Sequence, residues 1–415
     1  VSTPSLDDVA HRVQRAAPLV AVLSDEQRRN ALVQAAASIR RHEAAILAAN
    51  EQDQESAAAE GASPTVVDRL RLDANRIESM AQGLETVAAL PDPVGVIVEQ
   101  RTLANGLAIE RVQVPLGIVG VIYENRPNVT CDVAGLCVRS GNVAFLRGSS
   151  GALHSNKAIV AALQEGFSDA GIPVDAVALV EDVSHENAIA FMQLTNVLDV
   201  LIPRGGPRLI RSMREHATVP IILDGDGNCH IYIDEFADLE MATAIVVNAK
   251  TQRPGVCNAM ESLVLHESIA GEMLDLLSHT MPEVRLLGDE RAIALDHRLE
   301  AATIDDFSTE FLDLVASVAL VDSVHDAIDH IARYGSGHSE AIITRDQETA
   351  ELFLARVDAA AVLWNASTRF VDGGELGLGS EVGISTQKLH TRGPMGLAAL
   401  MSVKWVIRGE GQIRS

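Results

Sequence analysis

Cysteine is scarce in this 415-residue chain, and what there is does not pair: Cys131, Cys137, Cys229 and Cys257 form no CxxC. No His-x-x-x-His pair stands beside them, so a structural zinc site and a disulfide framework are both excluded as organising features. Basic residues are also short. Thirty-three Lys and Arg face 57 Asp and Glu, a formal net charge of −24, so no basic face is available for nucleic-acid phosphates. An anionic ligand must instead be held by a local cluster of arginines and backbone N–H groups, against the general field of the protein. Long apolar runs are missing too. Leu116–Tyr123, about eight residues, is among the longest, far below the roughly 18 that span a bilayer. No charged-then-apolar segment opens the chain, and a reducing, cytoplasmic setting without membrane contact is expected. Finally, there is no GxGxxG, so the usual dinucleotide fingerprint is absent.

What is present is a folded globular pattern, 47% hydrophobic and 22% charged, long enough for two or three domains. Residues 1–90 read as helices. Ser24 with Gln27 suits a capping box, and Leu32, Ala36, Ile39, Ile46 and Leu47 make one apolar stripe. Gly61 and Pro64 are expected to end that helix, and Ile77, Met80, Leu84 and Val87 mark the next. The period then changes. Residues 94–114 read as a hairpin with a type I′ turn at Asn105-Gly106, and residues 402–413 alternate like an exposed strand. Two protruding edges suggest a sheet shared between subunits.

From Leu116 to Leu223 short apolar strands alternate with amphipathic helices, the pattern of βαβ units around a parallel sheet. Such α/β sheets bind ligands at the C-terminal ends of their strands. Two glycine-rich turns carry arginine there: Arg147-Gly-Ser-Ser-Gly and Pro203-Arg-Gly-Gly-Pro. Each can offer a helix N-terminus to phosphate, or simply turn a corner. A second α/β series runs from His230 to Ala361. Near its start Thr251-Gln-Arg-Pro-Gly-Val-Cys-Asn sets Cys257 on a turn between a helical run and a strand, with Arg253 four residues earlier. Cationic charge and backbone N–H groups favour a thiolate in that setting, whereas a free cysteine is otherwise a small buried hydrophobe. The glycine-rich stretch from Asn365 to Pro394, mixing Arg, Glu, Thr and His, is too long for an idle connection and reads as a binding loop.

Tyr123-Glu-Asn-Arg-Pro-Asn-Val-Thr, the Cys257 motif and Asn365-Ala-Ser-Thr-Arg-Phe together resemble the gamma-glutamyl phosphate reductase (glutamate-5-semialdehyde dehydrogenase) family of the aldehyde dehydrogenase superfamily. The resemblance covers essentially the whole chain. It implies an α/β fold with a cofactor-binding parallel-sheet domain (1–93 and 115–226), an α/β catalytic domain (227–400) and a small β oligomerisation flap (94–114 and 401–415). Carried over by position, Cys257 is the nucleophile and Asn125 the oxyanion donor. Arg147, Ser149, Ser150, Gly205, Gly206 and Glu310 are expected to hold NADPH/NADP, Arg147 near the adenosine ribose and Glu310 near the nicotinamide ribose. Arg126 or Arg253 would take the leaving phosphate. Arg369, with Ser367 and Thr368, would grip the α-carboxylate of a small-molecule acyl phosphate. No metal is expected.

One departure is informative. Ordinary aldehyde dehydrogenases have a general-base glutamate before a Leu-Gly-Gly turn; here Leu223 stands in that position. The adjacent Asp224 would point to the opposite face if the strand continues. The resemblance therefore implies NADPH-dependent reduction of L-glutamyl 5-phosphate to L-glutamate 5-semialdehyde and phosphate, in proline biosynthesis. A homodimer or higher homo-oligomer and a glutamate kinase partner are part of the same expectation. Two other readings stay open at this point: oxidation of another small aldehyde, or a catalytically silent protein of this fold.

Overall fold

A computed structural model describes residues 4–223 and 225–414. Two compact units divide the chain, Val1–Leu223 with Gly377–Gly383 and Met395–Ser415 in the first, Asp224–Leu376 with Ile384–Pro394 in the second.

The first unit opens with five helices, α1 (Leu6–Ala21), α2 (Asp25–Arg41), α3 (Glu43–Ala59), α4 (Pro64–Leu70) and α5 (Ala74–Ala89). The Ser24–Gln27 capping box forms as read from sequence, with Gln27 N–H donating to Ser24 Oγ at 3.2 Å and Ser24 N–H to Gln27 Oε1 at 2.9 Å. The apolar stripe serves two helices rather than one, because the chain breaks at His42 between α2 and α3. Pro64 begins α4 instead of ending a helix, as its fixed φ and missing N–H allow at a first helical position. After strands β1 (Ile97–Thr102) and β2 (Ala108–Pro115) come β3 (Ile118–Tyr123), α6 (Asn128–Arg139), β4 (Val143–Gly148), α7 (Leu153–Asp169), β5 (Val177–Leu179), α8 (His185–Met192), β6 (Val200–Arg204) and α9 (Pro207–His216). The last four strands form one parallel sheet in the order β5-β4-β3-β6. Residues 219–223, at the end of this alternating series, supply only an isolated bridge between Ile221 and Leu201. Helix α7 crosses α2 at very short range. A Cβ on Gly166 would lie 2.4 Å from the Ala35 Cα, so only glycine allows that approach.

The second unit contains β7 (Cys229–Ile233), α10 (Leu239–Thr251), β8 (Met260–His266), α11 (Glu267–Thr280), β9 (Arg285–Gly288), α12 (Glu290–Leu295), β10 (Glu300–Ala301), β11 (Val315–Val321), α13 (Val324–Tyr334), β12 (Ser339–Ile343), α14 (Gln347–Arg356) and β13 (Ala361–Trp364). Its seven strands are all parallel, in the order β10-β9-β11-β8-β7-β12-β13. Ile231, Ile233, Leu263 and Leu265 pack in one apolar cluster, Tyr232 and Val264 in another. That alternation buries both faces, as a parallel sheet covered by helices on each side requires.

The glycine-rich stretch adds the short pair β14 (Ile384–Ser385) and β15 (Gly393–Pro394), and the chain ends in β16 (Met401–Arg408). The hairpin and the final strand meet within one chain. β16 pairs antiparallel with β2, giving the order β1-β2-β16. The hairpin and the last strand therefore share a sheet inside one chain, and its outer strands, β1 and β16, each keep one bare edge. The turn differs as well. Gly106 has φ +87° but Asn105 does not enter the left-handed region, and Gly106 N–H donates to Leu103 O at 2.9 Å. This is a longer loop closed by a glycine, not a two-residue type I′ turn.

Candidate active site

In the first unit the candidate residues cluster at the C-terminal ends of β3, β4 and β6. Arg147, the penultimate residue of β4, is buried, and its Nη2 donates to the carbonyls of Val183 and Ser184, each at 2.9 Å. Burial lowers its guanidinium pKa, partly countered by Asp182, and its Nε is buried without a hydrogen-bond partner. A cation so placed is fixed in direction and short of one acceptor, which fits an anionic or polyol ligand at the strand end. Ser150 is exposed in the short turn after it.

Asn125 follows β3 with φ +46°, one of three described non-glycine residues at positive φ. Its N–H donates to Ser149 Oγ at 3.2 Å, and Ser149 Oγ in turn donates to Asn125 Oδ1 at 2.9 Å. Ser149, expected beside the cofactor, is thus bound to Asn125. Gly205 and Gly206 are exposed and lead into α9. Gly206 N–H donates to Glu124 Oε2 at 3.0 Å, so one N–H of this glycine turn is taken by a carboxylate of the chain itself. Arg126 is half-buried, and its carbonyl accepts from Val129 N–H. Leu223 is buried. Asp224, whose direction the sequence reading weighed, lies outside the described residues.

In the second unit Cys257 is alone among the four free cysteines in being only partly buried. Three neighbours fix its segment. Gly227 lies so close that a Cβ there would be 1.9 Å from the Cys257 carbonyl oxygen. Gly227 N–H donates to Glu310 Oε1 at 2.9 Å, which brings Glu310 to the same place from 83 residues away in sequence. Cys229 Sγ donates to Cys257 O at 3.1 Å, and burial pushes the Cys229 thiol well above its ordinary pKa. That buried thiol is held protonated, and Cys257 is the one cysteine of the four that is not fully buried.

The Asn365 motif closes on the same segment. Asn365 itself turns the chain at φ +54°, its side chain exchanging hydrogen bonds with Thr344 N and O. Thr368 Oγ1 donates to Asn258 O at 2.7 Å, and Asn258 Nδ2 donates to Val371 O at 3.0 Å. Thr368 is fully buried, so its hydroxyl tethers the loop instead of facing a ligand, a correction to the carboxylate-gripping role expected for it. Ser367 Oγ accepts from Arg369 N–H at 3.3 Å. Arg369 is partly exposed, and its Nε donates to Gln252 Oε1 at 2.8 Å. Burial lowers its pKa; Arg253 pushes the same way, while Asp372, Cys257 and Glu375 push back. Arg253, Arg369 and Cys257 therefore share one electrostatic neighbourhood, with Arg253 exposed.

Several supporting residues escaped the sequence reading. Lys250 Nζ pairs with Glu261 Oε2 at 2.6 Å, both side chains fully buried, across the neck of the Cys257 loop. Burial lowers the lysine and raises the glutamate to about 7, each opposed by its partner's charge. The other Glu261 oxygen accepts from Leu312 N–H at 3.1 Å. The available signal was two charged residues inside otherwise apolar runs on either side of Cys257. Glu124 and Gly227 carried no comparable mark. Among the described residues no group of three or more His, Cys, Asp or Glu is arranged to hold a metal ion. No helix among them is long and apolar enough to cross a membrane.

Comparison with known proteins gives the family of the chain. The aldehyde dehydrogenase family matches residues 3–297. The gamma-glutamyl phosphate reductase of Heliobacterium modesticaldum is 52% identical over 394 residues, 94% of each chain. That of Moorella thermoacetica is 50% identical over 405 residues, 97% of each. The crystal structure of the Thermotoga maritima gamma-glutamyl phosphate reductase superposes with a TM-score of 0.96 at 42% identity, covering 99% of this chain and all of that one. An acetylating aldehyde dehydrogenase from Geobacillus thermoglucosidasius, at 16% identity and a TM-score of 0.72, shares the fold. The chain belongs to the aldehyde dehydrogenase family and, within it, to the gamma-glutamyl phosphate reductases.

Proposed function

We propose that the chain reduces L-glutamyl 5-phosphate to L-glutamate 5-semialdehyde and phosphate, a step of proline biosynthesis, with Cys257 as the covalent nucleophile. The observation that carries this reading is the second unit's cysteine segment: one accessible thiol, braced by Gly227 and Cys229, with Arg253 and Arg369 beside it. The Cys257 thiolate attacks the acyl carbon, the carbon–oxygen bond to phosphate breaks, and a thioester forms. Arg253 or Arg126 is assigned to the departing phosphate. Arg369 takes the substrate's α-carboxylate through its guanidinium fork, with Ser367 holding the backbone of that turn. The Cys257 backbone N–H and, on the family's pattern, the Asn125 carboxamide are assigned to the oxyanion of the tetrahedral adducts; one such donor is typically worth about 3 kcal/mol. NADPH is the reductant in this reading, and its nicotinamide supplies hydride to the thioester when bound. Arg147, with Ser150 and the Gly205-Gly206 turn, is assigned to its adenosine end, and Glu310 to the nicotinamide ribose. The buried Arg147 Nε without a partner supports that fit.

Leu223 carries the specificity of the thioester's fate. An aliphatic side chain cannot deprotonate water, and a positioned carboxylate base typically speeds such a step by about 10²–10⁴. The thioester is therefore kept for hydride, or for phosphate in the reverse direction. A homo-oligomer built on the β1-β2-β16 sheet belongs to the same proposal: Val403, Trp405 and Ile407 expose one apolar face, with Arg101 and Arg111 over the Trp405 ring at 5.6 and 5.8 Å. So do a cytoplasmic setting and a glutamate kinase as the source of the unstable acyl phosphate. The test is oxidation of glutamate semialdehyde by purified protein with NADP⁺. NADPH formation should require inorganic phosphate, and Leu223→Glu should partly relieve that need and release glutamate. Rapid phosphate-independent turnover by the native protein would refute the reading.

A further inference from the structure

We propose that Ser149 is a positioning residue that fixes which end of the Asn125 carboxamide faces the reaction. This rests on the reading of Asn125 as an oxyanion donor. A primary amide presents an acceptor at one end and donors at the other, and a simple rotation about its last bond exchanges them. An oxyanion is stabilised only by the Nδ2 end; the Oδ1 end would repel it. Something in the fold has to choose.

The choice is made by one hydroxyl. Ser149 Oγ accepts from the Asn125 backbone N–H at 3.2 Å, which occupies a lone pair and leaves its single proton to give. That proton goes to Asn125 Oδ1 at 2.9 Å. The carbonyl end is thereby held toward the β4 turn, and Nδ2 is left as the amide's outward donor. The backbone cooperates: Asn125 sits at φ +46°, a conformation asparagine tolerates better than most residues, and this folds its N–H and its side chain toward the same serine. Gly151 completes the seat. A Cβ at that position would lie 2.9 Å from Asn125 Oδ1, so glycine leaves the room that the carbonyl end fills. Ser149 therefore acts through Asn125, and the exposed Ser150 beside it is the residue left for the cofactor.

The test measures kcat and KM for NADP⁺ and for glutamate semialdehyde in the phosphate-dependent oxidative assay. Ser149→Ala should lower kcat about 10- to 100-fold, the range expected when a transition-state donor is misaimed rather than removed, while the KM for NADP⁺ moves less than about twofold. Ser149→Thr, which keeps the hydroxyl, should recover most of the loss. Gly151→Ala, whose φ is not in the left-handed region, should reproduce the kcat loss by pushing on Oδ1. On an Asn125→Gly background, which removes the amide but suits the backbone, Ser149→Ala should cost nothing further. A Ser149→Ala protein with a raised KM for NADP⁺ and parental kcat would show a cofactor contact and overturn the proposal. If Asn125→Gly is costly while Ser149→Ala is not, the positioning role alone is wrong. If Asn125→Gly itself leaves kcat unchanged, the oxyanion reading of Asn125 fails beneath it.

Discussion

In the first unit the candidate binding residues lie at the C-terminal ends of β3, β4 and β6; in the second, Gly227, Cys257 and Glu310 precede the N-terminal ends of β7, β8 and β11. The two arrangements are held differently. At the first site side chains hold the turns, Ser149 on Asn125 and Glu124 on Gly206, while Arg147 reaches the carbonyls of Val183 and Ser184. At the second, the backbone carbonyls of the cysteine segment are themselves points of contact. Gly227 abuts the Cys257 carbonyl, Cys229 donates to it from 28 residues away, and Thr368 reaches the Asn258 carbonyl from 110. A site that binds an exchangeable ligand can be lined by side-chain tips that yield. A nucleophile must be aimed, and aiming needs rigid backbone on several sides.

The largest expected effect removes the proposed nucleophile. Cys257→Ala should abolish turnover, by at least about 10⁴-fold, and abolish thiol labelling of the folded protein. Cys131→Ala and Cys137→Ala should retain both, and Cys229→Ala should keep labelling and most turnover, losing only its bond to the Cys257 carbonyl; substantial turnover by Cys257→Ala would end the covalent mechanism. Next comes a direct contest between the two regions. Gly227→Ala would set a methyl 1.9 Å from a backbone carbonyl, whereas Gly205→Ala would set one 2.6 Å from Glu124 Oε2 and 2.7 Å from Leu209 Cδ2, both ends of side chains that can rotate away. Overpacking against backbone costs about 1–3 kcal/mol, and a shift of about 1 Å at a nucleophile costs roughly 100-fold in rate. Gly227→Ala should therefore lose kcat about 100-fold while Gly205→Ala changes it less than about threefold. Equal effects in steady-state kinetics would erase the distinction.

A third, smaller effect concerns the first unit alone. With Arg147→Ala, preference for NADPH over NADH should fall about tenfold, read as the ratio of kcat/KM values at matched salt. An unchanged ratio would mean that Arg147 is held by Val183 and Ser184 only to brace the β4 turn.

The same contrast explains what the sequence made legible. The βαβ alternation and the Ser24 capping box could be read locally, because period and capping chemistry are local signals. The positions of Cys257 and of the Asn365 motif stood out as contiguous runs. What could not be read was every brace that depends on approach from a distance: Gly227 under Cys257, the Lys250–Glu261 pair, Thr368 as a tether. A threonine that grips a ligand and one that ties down a carbonyl look alike until the chain is folded. The hairpin failed for a related reason. Asn-Gly favours a two-residue turn, but the β1–β2 register pairs Thr102 with Ala108 and so leaves a longer loop, with only the glycine left-handed.

The smallest effect sharpens the comparison through pH. The second unit buries titratable groups near its sheet: His230 hydrogen-bonds Glu340 at 3.0 Å, and His330 packs edge-on to His230 and Phe307, with Tyr334 at 4.8 Å between ring centres. Burial lowers the His330 pKa to about 3, with His230 and Arg333 pushing the same way. An unfolded histidine titrates near 6.5. Between those values the unfolded chain holds a proton that the folded one does not, so stability rises with pH and is lost as pH falls below about 6.5. At pH 5 this one group should cost up to about 2 kcal/mol relative to pH 7.5. His330→Phe keeps a ring against Phe307 and Tyr334 and removes the buried Nε2 that has no hydrogen-bond partner, so its Tm at pH 7.5 should match or exceed the parent's. Its Tm should also fall by fewer degrees between pH 7.5 and pH 5. Parallel Tm-versus-pH curves for the two proteins would show that His330 takes up its proton in the folded state, and that the second unit's acid sensitivity lies elsewhere.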